Sequence, residues 1–189
     1  MTTSEQTTAG PARDQFATPI VVSLLGGCAV AILLGVYGKL HHPTGFSIDI
    51  AGFSSPLYAK AWLTTAALVF AAIQLATAYR MYRPGAAAWL AGLHRWSGRI
   101  AIVLTVPVII HCIYALGFQS YSLRVLVHSV LGCLFYGAFV AKMLSLGLAN
   151  RSTMPRWLMP VLGGAVLLSL IGLWATSALW LFTTKGLHS

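Results

Sequence analysis

Five apolar runs, each long enough to cross a lipid bilayer, dominate this chain of 189 residues. They cover roughly Thr18–Leu40, Leu57–Tyr79, Ala87–Phe118, Leu123–Leu148 and Trp157–Thr183. Crossing ~30 Å of hydrocarbon takes ~20 helical residues at ~1.5 Å each. Lipid offers the backbone no hydrogen-bond partner, so a spanning segment is a helix or a strand of a closed barrel. These runs are far too long for barrel strands. The expected fold is therefore all-α: an integral membrane helical bundle with five transmembrane helices. Residues 1–16 read as a disordered polar amino-terminal tail, and residues 17–185 as a single five-helix transmembrane domain. The first run is too long for a signal-peptide core. It also lacks a basic flank and an A-x-A cleavage site, so it is retained as a helix.

Composition agrees with the runs. The chain is 58% hydrophobic and only 8% charged, whereas soluble domains carry about a quarter charged residues. Its net charge of +9 would suggest a nucleic-acid partner on a soluble protein. Here the basic residues sit at the ends of apolar runs, so no nucleic acid is implied. Cys28, Cys112 and Cys133 lie inside runs without a CxxC or CxxCH pattern. They read as small buried hydrophobes rather than a zinc or covalent haem signature.

The runs nevertheless contain histidines. His94 lies at the start of the third run, in "GLHRWSGRI", His111 near its far end, and His128 near the start of the fourth, in "VHSVLG". His41 and His42 end the first run, which gathers four of the six histidines on one side; His188 belongs to the tail. By residue count His111 and His128 each lie ~10 Å below that surface, and His94 lies ~25 Å from His111 along its helix. A strongly polar side chain inside a membrane span is costly and marks a candidate functional site. Neutral imidazole is an axial ligand of haem iron. Gly98 follows His94 by four residues and Gly132 follows His128 by four, so each glycine shares its histidine's face and leaves room for a flat ring. Arg124 precedes His128 by four and suits a haem propionate, as does Lys39. The structural alternative is that each histidine simply bridges two helices.

"LHRWSGRIAI" and "VHSVLG" resemble the histidine-glycine helix starts of cytochrome b561-like b-type membrane cytochromes. The resemblance implies a four-helix core, haem b near each face, and transmembrane electron transfer, possibly from a quinol. It makes His94 and His128 ligand positions, with His111 a further one. The second run has no histidine and neither does the fifth, so the four-ligand pattern is not reproduced. Besides His94, only Met143 or Met81 offers itself as a second ligand at that level. The stretch from about residue 40 to 183 also resembles a family of small bacterial five-helix membrane proteins. That resemblance implies the fold and a bacterial inner (plasma) membrane, and no activity.

If the first four helices form a bundle, the tight turn makes the third and fourth neighbours and sets the first across from the third. His41 or His42 with His111 is then the natural haem pair, and His111 with His128 needs the two helices to splay. The expected function is a b-type haem-binding membrane electron-transfer protein, working in a larger redox complex or as a homo-oligomer. A cofactor-free accessory membrane subunit is the alternative. A transporter is disfavoured because the runs hold no acidic residue and Asp49 lies in a loop.

Orientation follows from the cations. Arg13, Arg80, Arg83, Arg95, Arg99, Lys142, Arg151 and Arg156 fall on one side, and Lys39, Lys60, Arg124 and Lys185 on the other. The richer side faces the cytoplasm, which sets the amino terminus inside. In "GLHRWSGRI" the arginines form a stripe that snorkels to the inner headgroups, and His94 with Gly98 faces the bundle. Cysteines introduced at Ser54 and Ser152 should therefore react from opposite sides of intact cells, Ser54 from outside. Reaction of both from one side would contradict five crossings.

Overall fold

The computed structural model describes residues 14–46, 53, 55–148 and 154–187. The tail up to Arg13, together with Asp49, Ser54, Arg151, Ser152 and His188, lies outside the described residues. There are five long helices and, among the described residues, no strand. They are α1 (Asp14–Leu40), α2 (Pro56–Met81), α3 (Trp89–Leu116), α4 (Leu123–Leu148) and α5 (Leu158–Lys185). All five are long and apolar enough to cross a membrane, which makes this a multi-pass membrane protein. Two helices carry a wide π turn: α3 over His111–Leu116 and α5 over Ala175–Leu179. The end of the bundle holding residues 41–46 and 117–122 is called the histidine end below. The end holding residues 82–88 is the arginine end.

The interior is mostly small and hydroxyl-bearing residues, with Phe135, Leu158, Leu162, Leu170 and Leu181 among them. Ala59, Ala67, Ala115, Ala178, Ser97 and Thr105 are buried, while Leu25, Leu33, Val103 and Leu168 point outward. Lipid solvates leucine as well as protein does, so helices associate where small residues let their surfaces approach. The α1–α4 contact is the clearest case. Ser23, Gly27, Ala31 and Gly35 recur every fourth residue on α1, and Cys133, Gly137, Ala141 and Ser145 do so on α4. A methyl group placed on Gly27 would lie 2.5 Å from the Gly137 carbonyl and 2.7 Å from Ala141 Cβ. One on Gly137 would lie 2.8 Å from Ala31 Cβ. One on Gly35 would meet Cys133 Sγ at 3.7 Å, an ordinary contact. Ser23 and Ser145 extend the two rows by a turn, and both are 0% exposed.

This seam changes the neighbour relations expected from the chain order. The closest backbone pairings are α1 with α4, α2 with α3, and α4 with α5. Helices α3 and α4, although consecutive, meet through a bulky side chain: the Tyr136 hydroxyl donates to the Thr105 carbonyl at 3.0 Å. On α3 the glycine that permits close approach is Gly98, and it faces α2. Further ties close the bundle. Trp174 Nε1 on α5 donates to Thr65 Oγ1 on α2 at 2.9 Å, and Phe118 N donates to Gly38 O at 2.6 Å, joining the ends of α3 and α1. Gly117, at φ 72°, makes the turn that permits this last contact.

Gly137→Leu should separate α1 from α4 and destabilise the fold by about 3 kcal/mol, the upper range for overpacking. Gly35→Ala has room and should be neutral or slightly stabilising. Thermal unfolding in detergent checks both.

Candidate functional site

At the histidine end, Pro107 breaks the regular bonding of α3 one turn before its π segment begins at His111. Wide turns of this kind recur at functional sites. The His111 ring is buried, at 9% exposure, and among the described residues neither of its nitrogens has a hydrogen-bond partner. The segment after α1 straps down the end of this turn. Thr44 N and Thr44 Oγ1 donate to the Tyr114 carbonyl, both at 3.3 Å, and Gly45 N donates to Ala115 O at 3.1 Å. His41 belongs to the strap. Its Nε2 donates to Tyr114 O at 3.2 Å, and its ring stacks on Tyr37 and Tyr114 at 5.0 and 5.1 Å. His42 is exposed, as is Lys39. The structure thus ties His41 to the end of α3 and leaves His42 at the surface.

His128 is fixed from α5. Its Nδ1 lies 2.9 Å from Thr176 Oγ1, and that hydroxyl donates its single proton to Gly172 O at 2.7 Å. With its proton on the Gly172 carbonyl, Thr176 accepts from His128. The proton sits on Nδ1, and Nε2 carries the free lone pair. Arg124 braces the same turn: Nη1 donates to the Thr176 carbonyl at 2.6 Å, and the guanidinium lies 3.9 Å over the Trp180 ring. Thr176 lies within the π turn of α5, and Trp180 directly follows it. Gly132 faces α5, where a methyl group would meet Leu173 at 3.9 Å. Lys60, one turn into α2, lies within electrostatic range of both His111 and His128. Its ammonium has no hydrogen-bond or ion-pair partner among the described residues.

At the arginine end, His94 is fixed from α2. Its Nδ1 lies 3.1 Å from the Gln74 carbonyl and 3.0 Å from Thr77 Oγ1, whose proton goes to Ile73 O at 2.8 Å. A carbonyl only accepts, so Nδ1 is again protonated and Nε2 is again free. Gln74 Nε2 donates to His94 O at 3.3 Å and occupies the space beside Gly98. The glycine accommodates α2 rather than an open slot. Met81 and Met143, the possible second ligands at this level, are 41% and 48% exposed on the bundle surface. Lys142 lies within electrostatic range of His94. Among the described residues, no three His, Cys, Asp or Glu side chains form a metal cluster, and all three cysteines are free.

Three contributors escaped the sequence reading. Lys60 was counted only as a flanking charge, although a lysine within a span is itself a signal. Thr176 and Thr77 carried none, because hydroxyls in membrane helices ordinarily bond to their own preceding carbonyl. Both do so here, and it is this bond that forces them to accept from histidine.

No curated protein and no solved structure matches this chain. A family model described as a family of unknown function, DUF6529, matches residues 20–189, and the chain belongs to that family.

Proposed function

We propose that this protein is a b-type haem-binding membrane electron-transfer protein of the plasma membrane. The observation that carries the reading is the state of two imidazoles at the histidine end, His111 buried and His128 half-buried. His128 is locked with its proton on Nδ1, and His111 has no hydrogen-bond partner. A histidine that ligates iron through Nε2 donates its other N–H to a neighbouring acceptor. His128 has that arrangement on its Nδ1 side. Lys60 and the remaining donors of Arg124 suit the two propionates better than the exposed Lys39 does.

In this reading one haem at the histidine end would be held by His111 and His128. The donor set does not fit a second at the arginine end, where His94 has no partner ligand. Bound haem would supply a one-electron couple. The chain's part is to fix the two imidazoles, neutralise the propionates and exclude water. The electron donor in this reading is a quinol of the bilayer.

The second reading is a cofactor-free accessory subunit of a larger redox membrane complex. It is favoured by the filled space beside Gly98, which Gln74 occupies.

Absorbance of the protein produced with ample haem separates the two. The haem reading expects a low-spin b-type spectrum that is lost in His111→Ala and in His128→Ala but kept in His42→Ala. A colourless wild-type protein would leave the accessory reading. Thr176→Val should weaken haem retention by about 10-fold, because loss of an outer hydrogen-bond partner costs 10- to 100-fold in metal affinity.

A further inference from the structure

We propose that Arg95, Trp96 and Arg99 on the outer face of α3 form a binding site for the phosphate of an anionic phospholipid. The site is separate from the histidine end and does not depend on haem.

The three side chains are exposed, and Trp96 is 61% exposed. The same face continues through Ile100 and Val103, which are also exposed. It is the lipid-facing side of a membrane helix. Arg95 and Arg99 are four residues apart and lie one above the other. Arg99 is ten residues from the helix start at Trp89, ~15 Å along the axis. A charge rooted that deep has to reach back to the headgroup level, and helical side chains lean toward the amino-terminal end. Arg99 does so: its guanidinium lies 5.1 Å from the centre of the Trp96 ring, one turn back.

Stacking occupies the flat face of a guanidinium and leaves its in-plane N–H donors free. Among the described residues, neither Arg95 nor Arg99 makes a hydrogen bond or an ion pair. The chain offers little to pair them with, since it holds three acidic residues against twelve basic ones. The neighbouring cations differ. Arg83 stacks on Tyr79 and bonds its hydroxyl, and Arg80 sits in the last turn of α2, next to the connecting loop. Of the arginines in α2 and α3, only the α3 pair combines free forks, a braced guanidinium and a lipid-facing face. Planar forks bind phosphate oxygens two at a time, and in a bilayer the phosphate at this level belongs to a lipid headgroup.

The test is lipid binding to the purified protein in detergent, read by native mass spectrometry and by the shift of thermal unfolding. The probes are phosphatidylglycerol, phosphatidylcholine and inorganic phosphate. The proposal expects saturable retention of phosphatidylglycerol and a rise in unfolding temperature that neither other probe gives. It expects Arg95→Gln/Arg99→Gln to weaken that binding by about tenfold or more, with Arg99→Lys between the two. Arg80→Gln/Arg83→Gln should bind as the wild type does. Several results would overturn it: no preferential retention by the wild type, an equal shift with inorganic phosphate, or equal loss in both double variants. Equal loss would mean that the basic rim attracts lipid only through its general field.

Discussion

The close contact of α1 with α4 sets the rest of this structure. In lipid there is no gain from burying a leucine, so the pair that can approach most closely wins. Gly27 and Gly137 bring two backbones together where any side chain would collide. With α4 bound to α1 on one side and to α5 on another, its link to α3 passes through Tyr136. The consequence reaches the histidines. His128 turns to α5 and finds Thr176, while His111 on α3 has no hydrogen-bond partner among the described residues.

A second constraint is charge without counter-charge. Lys60 and Lys142 lie within membrane helices, and no described carboxylate pairs with either. A lone cation in such a place is costly unless an anion or a polar cavity meets it. At the histidine end a ligand bearing carboxylates would answer Lys60 and Arg124 together. The exposed arginines of α3 face the same shortage from the lipid side. One composition, twelve cations against three acids, thus presents anion-seeking groups both inside the bundle and on its rim.

The span positions were legible because span length and hydropathy are properties of consecutive residues. The α4 run Leu123–Leu148 agrees with the structure residue for residue, and the α1 run Thr18–Leu40 ends with its helix, which begins one turn earlier at Asp14. Neighbour order was not legible in the same way. It depends on which small residues face which, and the every-fourth-residue row from Ser23 to Gly35 was visible only once its counterpart from Cys133 to Ser145 was set beside it. The glycine after each histidine was read as space for a ring. In the structure Gly98 admits Gln74, because a glycine in a membrane helix serves any close neighbour, a second helix first of all. His41 looked equal to the other histidines in sequence. Its role as a strap depends on the π turn at Tyr114, which no local pattern announced.

The account rests on His111 and His128 being the two nitrogens offered to one iron. Near-infrared magnetic circular dichroism of the oxidised protein, produced with ample haem, reads axial ligation directly. Two imidazole ligands predict the low-spin bis-histidine charge-transfer band. A histidine–methionine band, a five-coordinate high-spin spectrum, or no haem signal at all would contradict the account.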